Sequence, residues 1–372
     1  MVNFFIYNVY IFICITIIYI ESKVVKILLF RTISTFNIKS MIGTSEEIKI
    51  FELNLYSPHT FSASSYYHPS SIAKLISSGV ANFNKVQNVE YKLLSENITF
   101  IESDLYMNEF NYLYIRDFVY EYDTLSLAYS SRNSNTNIVR KLYNDNVIDK
   151  MQFAIYSESN YEENVYLYLG GFPENKQPKK YYAKLAIDKT FQGWSPQLNK
   201  VIIGEHEYIN NHKGYFQLIK SGIYAPSSFI DFIVGILKED FDNGKCKMVY
   251  DSIGLLSCKC DVFEKIPNIT FYFGNTQFSF GKDFLVITGI NECILNIEKG
   301  NKKDDLWRFD YSFMNYFDIL FDYEDGTITF YSDSPFQEEI SVNYAHNYIK
   351  LIFIFVLTIL IINSIILIVN KK

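Results

Sequence analysis

Val165-Tyr166-Leu167-Tyr168-Leu169-Gly170-Gly171 reads as a short strand stopped by a turn. Valine, leucine and tyrosine suit a half-buried pleated surface, and paired glycines end it because they accept backbone angles that other residues resist. The same texture extends outward in both directions, from Val24 to about Ser334. Ile27-Leu28-Leu29-Phe30 is strand-like, and Ile48 to Leu53 and Asn268 to Phe273 alternate for part of their length. Gly with Asn or Asp punctuates the runs, as in Glu324-Asp325-Gly326. Helical signals are few. Asn137 to Asn146 is one, and Pro226 to Glu239 is another, opened by Pro226-Ser227-Ser228 as an N-terminal cap. The pattern is mainly β with a few short helices, without heptads, solenoid repeats or low-complexity linkers.

The chain has 372 residues, 49% hydrophobic and 20% charged, enough for a substantial core. Aromatic residues reach 17%, which favours strands again. The net charge of −7 and the lack of a long basic run exclude nucleic acid as a partner. Residues 1–22 form an apolar segment that reads as a secretory signal peptide or an uncleaved anchor. Residues 351–369 are long and apolar enough to span a bilayer, with Lys371 and Lys372 on the cytosolic side. The expected layout is a single-pass type I protein of the secretory pathway or cell surface. Its parts are a body at 23–335, a stalk at 336–350, the span at 351–369 and a tail at 370–372. The start near Lys23 leads almost directly into a strand, leaving little room for a prosegment.

Cys246, Cys258, Cys260 and Cys293 fall in the second half, and an even number in a secreted body suggests two disulfides with three possible connectivities. Asn97 and Asn268 head glycosylation sequons. His59, His68, His206, His212 and His346 are scattered, without the spacing of a zinc helix, and read as polar loop residues. Gly170-Gly171 is a turn and not a phosphate loop. Neither a metal nor a cofactor is expected.

Residues 25 to 333 resemble, in the order of their segments, the pepsin-like aspartic proteases. Ile42-Gly43-Thr44 looks like the family's entry to its first catalytic strand. Asn54-Leu55-Tyr56-Ser57 then falls where Asp-Thr-Gly-Ser stands in the family, Phe61 on its Trp and Tyr91 on its flap Tyr. Asp123 to Tyr129 looks like the segment supporting the first loop. Phe153 to Tyr156 with Tyr168 to Gly171 resembles the strand pair between the lobes, and Asn199 to Gly204 the strand before the second active loop. Ala225-Pro226 resembles the end of that loop, which places Gln217-Leu218-Ile219 on the second Asp-Thr-Gly. Trp307 to Asp322 and Ile328 to Phe330 resemble the closing segment.

The resemblance implies a bilobal pepsin-like fold, with an N-terminal β lobe at 23–176 and a C-terminal β lobe at 177–335. It implies a Cys260–Cys293 disulfide, and Cys246–Cys258 is expected beside it rather than metal or redox chemistry. It also exposes what is missing. Family catalysis needs two carboxylates sharing a proton across a water. Asn54 and Gln217 put neutral amides there, which do not take a proton from water at ordinary pH. Leu55 and Leu218 replace the hydroxyl residues that tie the loops, Tyr56 and Ile219 replace glycines, and Ser126 and Asp310 replace the supporting glycines. Asp251-Ser252-Ile253-Gly254 is a decoy too close to Cys260. Tyr91, Tyr56, Ile219 and Asp310 border the expected cleft, Asp310 turned to solvent. The leading expectation is a membrane-tethered pseudoprotease that binds a peptide or protein without cleaving it. An active aspartic-type endopeptidase with other carboxylates is the alternative, and a structural surface protein the second.

Overall fold

The computed structural model describes residues 23–338 apart from 32–34, 44–47, 58, 63–68, 70–71, 84–85, 102, 104, 116–122, 131–135, 158–164, 174–177, 211, 219–221, 250–253, 290–291, 301–305, 311–312 and 314–315. The expected signal segment, the membrane span, the tail and all but the first three residues of the stalk lie outside the described residues, as do His68, His346, Ile219 and Asp251. Among the described residues no helix is long and apolar enough to cross a membrane.

The first half supplies β1 (Val25–Arg31), β2 (Phe36–Ile42), β3 (Ile48–Asn54), β4 (Phe61–Ser62), β5 (Lys74–Phe83), β6 (Val86–Phe100), β7 (Tyr106–Ile115), β8 (Asp123–Ser126), β9 (Gln152–Ser157) and β10 (Val165–Leu169). The second half supplies β11 (Tyr181–Ala186), β12 (Leu198–Ile203), β13 (His206–Ile209), β14 (Gly214–Phe216), β15 (Ile223–Ala225), β16 (Cys246–Val249), β17 (Leu255–Cys258), β18 (Ile269–Phe273) and β19 (Thr276–Phe280). It continues with β20 (Val286–Thr288), β21 (Cys293–Leu295), β22 (Ile297–Lys299), β23 (Trp307–Phe309), β24 (Asp318–Asp322), β25 (Thr327–Ser332) and β26 (Gln337–Glu338). The molecule is mainly β.

A thirteen-stranded sheet runs β11-β25-β24-β9-β10-β1-β2-β3-β8-β4-β7-β6-β5. Its first six strands come from both halves of the chain, with Phe321 of β24 opposite Phe153 of β9. β9 and β10 form the antiparallel pair that the motif at 153–171 suggested. β1 passes between the two regions: Val25–Leu29 pair with β10, while Phe30 and Arg31 pair with β2. Trp194 pins this junction. It is fully buried, donates from Nε1 to the Leu127 carbonyl at 2.8 Å, and lies 4.9–5.8 Å from the rings of Tyr323, Phe321, Tyr129 and Phe153. The Leu127 carbonyl also accepts from the Tyr323 hydroxyl at 2.7 Å, so one oxygen of the first lobe is held by two buried groups of the second.

The second lobe adds three small sheets, β13-β12-β18-β19-β26, β14-β23-β15-β22 and β16-β17-β21-β20. Phe216, Phe271, Phe273, Phe278, Phe309 and Phe313 meet between them and are at most 2% exposed. Each such ring contributes roughly 1.5–3 kcal/mol by leaving water. Both expected disulfides are present, Cys246–Cys258 and Cys260–Cys293, with Cys246 directly opposite Cys258 across β16 and β17.

The first expected helix is α1 (Ile138–Asn144), capped by Asn137, whose side chain accepts from the Arg140 amide. The second departs from expectation. It divides at Leu237 into α2 (Ser227–Ile236) and α3 (Lys238–Asp242); Pro226 stands at the cap position, and Ser228 Oγ lies 2.7 Å from the Tyr208 hydroxyl.

Candidate functional site

β3 and β8 run parallel, placing Asn54 opposite Ser126 at the strand ends. The Leu127 amide closes the pair on the Asn54 carbonyl at 2.8 Å. Beyond the strand end, Asn54 Oδ1 accepts from the amides of Tyr56 (2.8 Å) and Ser57 (2.6 Å). Its carboxamide is therefore an acceptor that folds its own loop, the usual use of Asn at a turn. Ser126 Oγ donates to the Ser57 carbonyl at 2.6 Å and its amide to Thr60 Oγ1 at 3.0 Å, while Thr60 Oγ1 donates to the Thr136 carbonyl. Ser126, where a glycine was expected, thus serves the loop instead of emptying it. His59 Nδ1 lies 3.2 Å from Thr136 Oγ1, and burial lowers its pKa.

The second lobe repeats the topology. β14 and β23 are parallel, and the backbone N–H of the buried Gln217, just past β14, donates to the Phe309 carbonyl at 3.0 Å. Asp310, just past β23, was expected to face solvent and instead is fully buried. The cause is Arg308, two residues earlier on the same side of the strand, whose Nε lies 3.2 Å from Asp310 Oδ1. The Arg308 guanidinium also sits 3.4 Å from the centre of the Tyr224 ring, and it stands beside both Tyr215 and Tyr224 in the sheet register. Burial works against its charge, but Asp310, Tyr224 and Tyr215 outweigh that and raise its pKa. Burial pushes the Tyr215 phenol up to about 12 although Arg308 opposes the shift.

The two loops meet through rings. Tyr56 lies 4.8 Å from Tyr215, and Phe191 closes the group at 6.4 and 6.3 Å from them. Gln192 Nε2 donates to the Tyr56 carbonyl at 3.0 Å. Gly193 is required here: its φ is +87°, and a Cβ would come 3.0 Å from the Leu55 carbonyl oxygen. Leu55 and Leu218 are both fully buried. Tyr56 thus adds a ring contact between the first lobe and the second to those at Leu127.

Tyr91 lies on β6 opposite Gly79 of β5, and a Cβ on Gly79 would come 2.9 Å from its hydroxyl. It packs with Leu93 against Phe61, Val89, Leu113 and Ile115, an apolar cluster separate from the main core. The sheet register connects this cluster to the first loop. Phe61 of β4 pairs with Thr124 of β8, which pairs with Glu52 of β3. Paired residues share a face, and Glu52 shares its face with Asn54 two residues on. Glu52 is 8% exposed, and burial pushes its carboxyl up to about 7.

Of the remaining sequence-derived residues, Asn97 Oδ1 accepts from the Glu109 amide at 3.3 Å, and Asn268 is exposed. His206 is exposed on β13, and the His212 amide donates to Asn210 Oδ1 at 3.1 Å. Among the described residues no group of three or more His, Cys, Asp or Glu is placed to hold a metal. Sequence reading missed Glu52, Tyr215, Arg308 and Trp194. Strand alternation would have found the first two, each lying two residues before an amide, Asn54 or Gln217, that the sequence reading had singled out.

The topology, with two parallel strand pairs ending in paired loops and a sheet shared by both halves, agrees with the family model for eukaryotic aspartyl protease, which matches residues 119–332, more than half of the chain. The chain belongs to the eukaryotic aspartyl protease family. The matched span of this aspartyl protease family member holds Tyr215, Gln217, Arg308 and Asp310, whereas Glu52, Asn54 and Tyr56 precede it. Among curated proteins nothing matches the chain.

Proposed function

We propose that this member of the family is a pseudoprotease that holds a peptide or protein segment in the cleft between its lobes without cleaving it, tethered to a bilayer by residues 351–369 as a type I protein. The observation that carries this reading is the use of Asn54: its Oδ1 accepts two amides of its own loop, in the place where the family's chemistry needs an ionisable oxygen. Gln217 supplies a second neutral amide at the end of β14. Two amides cannot share and pass a proton as two carboxyls do. Adding the full-length chain to a fluorogenic peptide library between pH 3 and 7 is expected to give no cleavage that an active-site inhibitor of the pepstatin type suppresses. Inhibitor-sensitive, acid-dependent cleavage would establish the enzymatic alternative.

The Tyr56–Tyr215 contact gives a second reading some support, because rings filling the cleft floor also suit a purely structural surface protein. Peptide binding in equilibrium dialysis separates the two: a structural protein retains none of the library.

A further inference from the structure

Resting on the peptide-binding reading above, we infer that Glu52 is the anchor for a cationic side chain, lysine or arginine, of the bound segment, with the apolar cluster Phe61–Tyr91–Leu113–Ile115 receiving its aliphatic stem.

The geometry is a row across one face of the first lobe's sheet. Glu52 pairs with Thr124, Thr124 with Phe61, Phe61 with Leu113, and Leu113 with Leu93. Neighbouring strands are about 4.8 Å apart, so Phe61 stands about 10 Å from Glu52, within reach of one extended lysine side chain. Lysine and arginine carry an apolar stem behind a charged head, and a face with an apolar end and a carboxyl end matches that division. The carboxyl has the character of an empty seat. Glu52 makes neither a hydrogen bond nor an ion pair with any described residue, and its oxygens are not among the sealed polar atoms of the interior. A carboxyl so placed gains most from a cation brought by a ligand, since burial has already removed most of its water.

The charged groups that could occupy that seat from within lie elsewhere. β2 brings Asn37 opposite Glu52 and Lys39 two pairs along, opposite Ile50, but the Asn37 side chain donates to Thr35, and Lys39 Nζ lies 5.1 Å from the centre of the Phe30 ring. β8 brings Thr124 and Ser126, neither titratable near neutrality, and on β3 itself Ile50 and Asn54 share the face. Lys49 belongs to the opposite face with Phe51.

The test separates this inference from the reading beneath it. The full-length chain in mild detergent is titrated with n-hexylammonium and with n-hexanol, at pH 8 and pH 5, alongside Glu52→Gln. The ammonium is expected to bind about 10-fold more tightly than the alcohol at pH 8, a charge-assisted contact's worth of affinity, and no more than about 2-fold more tightly at pH 5 or in E52Q. Equal affinities at pH 8, or a preference that survives in E52Q, overturn the assignment. Blocked hexapeptides differing only in lysine against norleucine form the second arm. Peptides that bind without lysine preference overturn the role of Glu52 and leave the cleft reading standing. An ammonium preference without any peptide binding leaves the Glu52 seat standing and removes the cleft reading.

Discussion

The two strand-end loops occupy equivalent places in the two lobes and handle polarity in opposite ways. In the first, Asn54, Ser57, Thr60, Ser126 and Thr136 satisfy one another through short bonds to backbone, and the nearest charge, Glu52, is left alone on its face. In the second, a half-buried guanidinium and a buried carboxylate answer each other beside two tyrosine rings. The first loop is locally self-sufficient and leaves a carboxyl available to a ligand. The second pairs its carboxylate, Asp310, with Arg308 of its own strand. The lesson is that two loops in equivalent places of the two lobes are held by different chemistry, backbone-directed hydrogen bonds in one and an ion pair between rings in the other.

The largest expected effect lies in the second loop. Arg308→Ala leaves Asp310 buried without its cation, which should cost about 3–5 kcal/mol in urea unfolding. Replacing both by apolar residues of similar volume, R308M with D310L, should recover most of that loss, and a double variant no better than the single would break the comparison. Next comes Glu52. Its folded pKa stands above its ordinary value, so the protonated form stabilises the fold fully below about pH 4.5 and that contribution is lost as pH rises through about 7. Two and a half units correspond to about 3 kcal/mol. Wild-type stability should therefore fall over that window while E52Q stays flatter and gains at pH 8, read from unfolding midpoints at a series of pH values.

Smaller still, Asn54→Ala removes the acceptor for two loop amides and should cost about 1–2 kcal/mol, whereas Asn54→Asp, which keeps the acceptor, should cost less than half of that. Equal losses for the two would mean that the amide nitrogen of Asn54 matters and that the loop is not self-sufficient. Last, Tyr56→Ala severs the ring contact with Tyr215 and should cost about 0.5–1.5 kcal/mol beyond lost burial, measured as the coupling in a cycle with Tyr215→Ala.

Much of this was legible in the chain. Alternating strands bounded by the glycine pair at 170–171 and by Glu324-Asp325-Gly326 followed from local preference, and Asn137 announced α1 because a cap is a contact between neighbours. The amides at 54 and 217 and the cysteine pairs were visible as residue types in order. The solvent placement of Asp310 failed because its partner, Arg308, reads in the sequence as one more polar strand residue. Pro226-Ser227-Ser228 opens α2 as read, with Pro226 at the cap position, while the Ser228 hydroxyl meets Tyr208 of another strand, a contact that local sequence does not announce.

By itself, then, the amino-acid order decided which segments become strands and that neutral amides stand at positions 54 and 217, since local backbone preference and side-chain chemistry need no distant partner. Only the tertiary structure decided that Trp194 and Tyr323 share one carbonyl across the halves, that Tyr56 meets Tyr215, and that Glu52 stands two strands from an apolar cluster without an ion pair to any described residue. Those outcomes depend on strand register and on the solvent removed by packing, and both are properties of the assembled sheets.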